Sequence, residues 1–178
     1  MQTAKSQQNS QVTSNNPSTH RIIALWNRLG HSTLGRRIFN FLLSRAVPYS
    51  GSIKAEVLSL EPGHVLVALK DRRAVRNHLH SIHAIALANL GELASGMAML
   101  SAISSDTRAI VVNLEIEYLK KARGRLIAEG KANPPSVITD RVTTIVEAEI
   151  KDSEGDVVSR LKVHWLLSPQ PNKDGVTK

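Results

Sequence analysis

Apolar positions in this chain follow two periods, and the change falls near residue 52. Before it, Ile22, Ile23, Leu25, Trp26 and Leu29 form one stripe at helical spacing, and Leu34, Ile38, Phe41 and Leu42 form a second. Gly30-His31-Ser32 separates the two, with Ser32 placed as the next N-cap. Residues 20–47 therefore read as basic amphipathic helices, closed by Pro48 and Gly51. From Ser52 the period becomes two. Ile53, Ala55, Val57 and Ser59 alternate, Glu61-Pro62-Gly63-His64 is a turn, and Val65, Val67 and Leu69 complete a hairpin. Four more strands are expected over residues 108–120, 124–132, 140–151 and 156–167, with turns at Asn133-Pro134-Pro135-Ser136 and Asp152-Ser153-Glu154-Gly155-Asp156. Between the hairpin and these strands lies a helix over about 78–100. Residues 1–19, rich in Gln, Ser, Asn and Thr, read as a disordered tail, and residues 169–178 as a flexible one.

The helix between the hairpin and the later strands is apolar or small nearly all round: Ile82, Ala84, Ile85, Ala86, Leu87, Ala88, Leu90, Leu93 and Ala94. Such a helix is buried. The element order, a hairpin, one long helix and a four-stranded antiparallel meander, predicts an α+β fold with a curved sheet wrapped around the helix. Open sheet edges favour dimer formation by strand pairing, through residues 108–120.

Charge changes the picture at the N-terminus. The chain of 178 residues has a formal net charge of +8, yet residues 1–55 contain no acid and seven cations: Lys5, Arg21, Arg28, Arg36, Arg37, Arg45 and Lys54. A basic patch of this kind meets phosphate groups. A basic amphipathic helix can lie on a membrane, but packing on its own domain with arginines outward is the favoured reading for residues 20–46. Aromatic content of 3% argues against single-strand nucleic-acid binding, which stacks bases on aromatic rings. There are no cysteines, so disulfides and thiolate metal sites are excluded. No apolar stretch reads as long enough to cross a bilayer, and no secretory signal pattern opens the chain. The acid-free start has some transit-peptide character, but a cytoplasmic location is the leading expectation.

One residue stands out against the apolar helix. Glu92 is a carboxylate about two turns in, and buried Glu is rare unless paired or functional. His78, His80 and His83 invite a metal reading, but spacings of two and three do not place three imidazoles on one helical face, and none is expected to bind metal. There is no glycine-rich phosphate loop, serine elbow or dinucleotide fingerprint. Glu115 and Glu117 share one strand face, opposite Leu114, Ile116 and Tyr118, and read as a solvated or interface face, not as a paired acid–base set.

This arrangement resembles a hotdog-fold acyl-CoA thioesterase. Within that superfamily it resembles the phenylacetate-pathway thioesterase-like branch, and there a thioesterase subgroup of unknown function. The resemblance covers roughly residues 48–168. In that branch an Asn is followed by His-Gly-Gly at the start of a helix, with an Asp or Glu two turns later. Asn77 and His83 match the Asn and His, Ala84 and Ile85 stand where the two glycines usually are, and Glu92 matches the acid. The run Glu117-Tyr118-Leu119-Lys120-Lys121-Ala122-Arg123-Gly124 resembles the family's aromatic, basic, Ala and Gly run after the long strand. The loop with Pro and His that marks hotdog dehydratases is absent.

The resemblance implies an acyl-CoA thioester hydrolase, a homodimer or dimer of dimers, with its site built across two subunits. Glu92 would be general base or nucleophile, the Ala84 backbone N–H would polarise the thioester carbonyl, Asn77 would orient water or substrate, and His83 would hold the loop before the helix. Ala84 keeps its N–H, but its Cβ and the larger Ile85 narrow the approach. A rim of Arg72, Arg73, Arg76, Lys120, Lys121 and Arg123 suits the phosphates of coenzyme A, here a substrate and not a cofactor; no cofactor is expected. The alanine-rich helix points to an aliphatic acyl group. Two other functions fit the same residues: a non-catalytic acyl or acyl-CoA binding module, and a lipid-surface protein using the basic N-terminal helices.

Overall fold

The computed structural model describes residues 21–170; the expected tail at 1–19, and all of the expected 169–178 tail except residues 169 and 170, lie outside the described residues. The hairpin forms as two strands, β1 (Glu56–Glu61) and β2 (His64–Leu69), around the Pro62-Gly63 turn. Ile53 precedes the first strand and is buried. The later strands are β3 (Thr107–Tyr118), β4 (Leu126–Lys131), β5 (Val142–Lys151) and β6 (Val157–Pro169). Each shows the expected period of two. Val65, Val67 and Leu69, then Val146, Ala148 and Ile150, then Leu161, Val163, Trp165 and Leu167 all face inward and are buried.

The strands are not the simple meander expected from chain order. All six form one antiparallel sheet in the order β1-β2-β4-β5-β6-β3. Strands β4, β5 and β6 are a meander, but β3 lies beyond β6, at the edge opposite β1. The cause is the long helix. It crosses the sheet after the hairpin and delivers the chain to the far side, so β3 starts there and β4 must return to pair with β2.

That helix, the fourth α-element, spans Ala84–Ala102, starting six residues later than expected. Residues 77–83 instead form a tight loop, because Asn77 N–H donates to Ser81 O, the Asn77 side-chain Oδ1 accepts from Ser81 N–H, and His83 caps the helix. By length and composition its 19 residues could cross a membrane, contrary to the sequence expectation, but the sheet wraps it and it is the core helix. Two glycines let helix and sheet approach closely. A Cβ on Gly130 would stand 2.5 Å from the Ala94 carbonyl oxygen, and one on Gly91 would stand 2.4 Å from Leu161. Leu90, Ala94, Ala98 and Met99 are fully buried along its length.

The N-terminal segment forms α1 (Arg21–Leu29), α2 (Thr33–Ala46) and the single turn α3 (Pro48–Gly51); the core helix is α4. The break falls at Gly30-His31-Ser32, and Ser32 caps α2 by accepting from Gly35 N–H at 3.0 Å. Both helices pack on the domain. Trp26 and Phe39 are buried and meet edge to face at 5.0 Å. Asn40 ties α2 to β1, its Oδ1 accepting from Val57 N–H at 2.7 Å and its Nδ2 donating to Val57 O at 3.2 Å. The packed face of α2 is not its expected stripe. Gly35 and Phe39 are buried, while Leu34, Ile38, Phe41 and Leu42 face solvent. Gly35 decides this, since without a side chain it lets α2 close onto the end of α1, where a Cβ would meet the Leu29 carbonyl oxygen at 2.0 Å.

Candidate active site

The start of α4 is built by the loop before it. Asn77 Oδ1 accepts from Leu79 N–H at 2.9 Å, from Ser81 N–H at 3.2 Å and from the Ser81 hydroxyl at 3.2 Å. This is the Asx-turn chemistry that a short amide side chain performs. The Asn77 side-chain NH2 makes no bond among the described residues. His83 N–H donates to Val75 O at 2.8 Å, and Ile82 N–H to Ala122 O at 2.8 Å, so the loop is anchored at both neighbours of the helix start. His83 Nδ1 accepts from Ile85 N–H at 3.1 Å, which requires an unprotonated Nδ1.

Ala84 is then the first residue of α4. Its N–H has no intrahelical partner by geometry, and no other acceptor meets it among the described residues. It lies at the positive end of the helix dipole. The Tyr118 hydroxyl, from the end of β3, donates to Ala84 O at 3.2 Å and so fixes the peptide that follows. Ile85 points outward and is exposed.

Glu92 lies eight residues further along, half-buried. Burial pushes its carboxyl above the usual glutamate range, and no charge or hydrogen bond opposes that shift. Among the described residues no group bonds its carboxylate. The side chain runs beside Gly96, where an added Cβ would be 4.0 Å from Glu92 Oε1 and 3.4 Å from the Trp165 ring. Two neighbours were not singled out from sequence. Asn89, one turn earlier, is buried; its Nδ2 donates to Tyr49 O at 3.2 Å, and its Oδ1 is unpaired. The buried indole N–H of Trp165 is also unpaired. Asn89 carried the same signal as Glu92, a polar side chain in an apolar helix; Trp165 carried none.

Ala84 and Glu92 do not meet in one chain. Eight residues of α-helix separate them by about 12 Å along the axis. Neither the cleft between α2 and β1 nor the groove on the outer face of the sheet includes either residue.

The expected cationic rim divides into two groups. Arg72 donates to Ile53 O and, at 3.5 Å, to Ser52 O. Arg76 pairs with Asp71 at 2.6 Å and holds that carboxyl below its usual range. Lys120 pairs with Asp152, Glu154 and Asp156 at 2.8, 3.1 and 2.6 Å, which pushes its ammonium pKa up. Arg73, Lys121 and Arg123 are exposed with no ion pair among the described residues. His78, His80 and His83 do not converge. Asp152, Glu154 and Asp156 do bring their oxygens within 4.8 Å of one another, and Lys120 Nζ bonds all three.

A family model covers residues 35–167, that of a domain of unknown function, DUF4442. The chain belongs to this family. No curated protein sequence matches it. Solved structures do. The genomics target APC5556 is 27% identical, with a TM-score of 0.72 over 84% of this chain and 99% of its own. PA5026 of Pseudomonas aeruginosa, a protein of unknown function described as a probable thioesterase, is 20% identical, with a TM-score of 0.66 over 74% and 93%. A hypothetical thioesterase of Streptococcus pneumoniae, solved with coenzyme A, is 21% identical, with a TM-score of 0.59 over 71% and 98%. With its single sheet curved around one central helix, the DUF4442 chain has the hotdog fold of these thioesterase-family neighbours.

Proposed function

We propose that this protein hydrolyses acyl-CoA thioesters, as a homodimer in which Glu92 of one copy faces the α4 start of the other. The observation that carries the reading is a half-buried, unpartnered carboxylate on the same helix as an unpaired N-terminal N–H. Each suits one half of thioester hydrolysis, and about 12 Å keeps them apart within one chain. A second, antiparallel copy of α4 brings one of each together. Exposed apolar Ile110 and Val112 on edge strand β3 support pairing there.

The chemistry follows from the two groups. The thioester carbonyl oxygen takes a hydrogen bond from the Ala84 N–H, which strengthens as negative charge develops on that oxygen. Glu92 removes a proton from water while the water oxygen bonds the carbonyl carbon. The tetrahedral adduct expels the thiolate of coenzyme A, which takes from Glu92 the proton that came from water. A carboxylic acid and a free thiol leave. Direct attack by Glu92 is the alternative route to the same products. Asn77 and His83 hold the loop that presents Ala84. Exposed Arg73, Lys121 and Arg123 are free to meet coenzyme A phosphates, while Arg72, Arg76 and Lys120 serve mainly the fold. The small residues of α4 favour an aliphatic acyl group.

A thiol-release assay across acyl-CoA chain lengths tests this directly. Glu92→Gln keeps the side-chain shape and should lower turnover by about a hundredfold or more. Wild-type turnover in that variant sinks the assignment. Binding of acyl-CoA without any turnover supports the second reading, a binding module, which Ala84 and Ile85 favour by standing where the resembled branch has two glycines.

A further inference from the structure

The face that α2 turns away from the domain carries Leu34, Ile38, Phe41 and Leu42, which are 68%, 42%, 62% and 42% exposed. They sit at i, i+4, i+7 and i+8, so they line one side of the helix. Arg45 extends the same line, and Arg37 flanks it. Val47 and Tyr49, just past the helix, add 39% and 73% exposed apolar surface. Four large apolar side chains in one exposed row mark an interaction site.

The surroundings identify the occupant. Further around the helix, between α2 and β1 and reached past Arg37, lies a cleft of about 560 Å³ lined by Thr33, Arg36, Arg37, Asn40 and Lys70. Glu56, at its wall, already pairs with Lys70 at 3.0 Å. The whole segment from Arg21 to Ala55 carries six cations and no acid. A second copy of the same face would bring like charges together, which opposes self-association. The stripe also lies at the β1 edge of the sheet, away from β3.

We infer that α2 docks this protein on anionic phospholipid membranes. The apolar row Leu34, Ile38, Phe41 and Leu42 enters the acyl boundary, and Arg37 at its flank and Arg45 at its end take lipid phosphate. An amphipathic helix with arginines bordering an apolar face binds in this way, and its affinity depends on both parts. Tyr49 O accepts from Asn89 of α4, one turn beyond Ile85, so the docked surface is tied to the N-terminal half of the core helix.

The test uses the full chain and sedimentation with vesicles. Equal parts phosphatidylglycerol and phosphatidylcholine should carry the protein down at low salt, and phosphatidylcholine alone should not. Leu34→Gln with Phe41→Gln, and separately Arg37→Gln with Arg45→Gln, should each weaken binding about tenfold or more. These positions are exposed, so circular dichroism should stay at the wild-type signal. No binding to the anionic vesicles overturns the inference. So does undiminished binding by both double variants. A smaller oligomer for Leu34→Gln with Phe41→Gln, by sedimentation velocity without lipid, overturns it in favour of a second copy as the occupant. None of these outcomes depends on turnover, so loss of the hydrolase reading leaves this one standing or falling separately.

Discussion

Glu92 shows how one residue can be assigned by its cost. A carboxylate half-withdrawn from water with no partner is held in its neutral form to higher pH than usual. In the proposed role of general base the sign is direct: the protonated form would be inactive, so kcat/KM should rise with pH through a midpoint above the ordinary glutamate value. A midpoint at or below that value, in a profile over several acyl-CoAs, would argue for a different base. Stability moves the opposite way. A raised folded-state pKa means the penalty is absent below the unfolded-state pKa and complete above the folded one. Glu92→Gln should therefore melt at a higher temperature than wild type at pH 8 and at nearly the same temperature at pH 4. Scanning calorimetry at the two pH values checks this. At Ala84, replacement by glycine removes the Cβ beside the proposed oxyanion position. Faster turnover or acceptance of bulkier acyl groups is expected; slower turnover means that loosening the helix start outweighs the gain in access.

Elements here are positioned by small residues as much as by large ones. Helix α4 lies close to β4 because Gly130 leaves room for the Ala94 carbonyl, and close to β6 because Gly91 leaves room for Leu161. Gly130→Val would press against backbone, which cannot swing aside as a side-chain end can. It should cost about 1–3 kcal/mol, the range for overpacking a core, measurable as a lower urea midpoint. Gly91→Ala meets the Leu161 side chain, Cδ1 and Cδ2 at 2.4 Å and Cγ at 2.9 Å, which can turn where backbone cannot, and should cost less. The same logic set α2. Gly35 chose which of its faces packs, and left the more apolar one outside.

At the scale of the molecule, the β3 edge is the decisive feature. This strand is twelve residues long, and its inward side chains Ala109, Val111, Leu114 and Ile116 are only partly buried. An edge of that length and character calls for a partner. A dimer is expected by light scattering at micromolar concentration. Ile110→Glu with Val112→Glu should shift it to monomer. Turnover should fall with it, since Ala84 and Glu92 cannot meet within one subunit, while circular dichroism stays unchanged.

The local pattern alone was enough for a helical N-terminal segment with a break at Gly30-His31-Ser32, the Ser32 cap, the hairpin turn at Pro62-Gly63 and the inward alternation of β5 and β6, because each depends on neighbours within a few residues. It was also enough to mark Glu92, since a charge in an apolar helix is anomalous wherever the helix goes. The loop at 77–83 was less legible: its side chains read as helical, and only the bonds of Asn77 and His83 to backbone groups nearby stop the helix from starting earlier. Strand order was beyond local reading, because it depends on where a long helix returns the chain. So was the fate of Arg72, Arg76 and Lys120, whose partners lie at Ile53, Asp71 and the turn from Asp152 to Asp156. A side chain's chemistry is written in the sequence, but which groups it can reach is decided by packing that brings distant segments together.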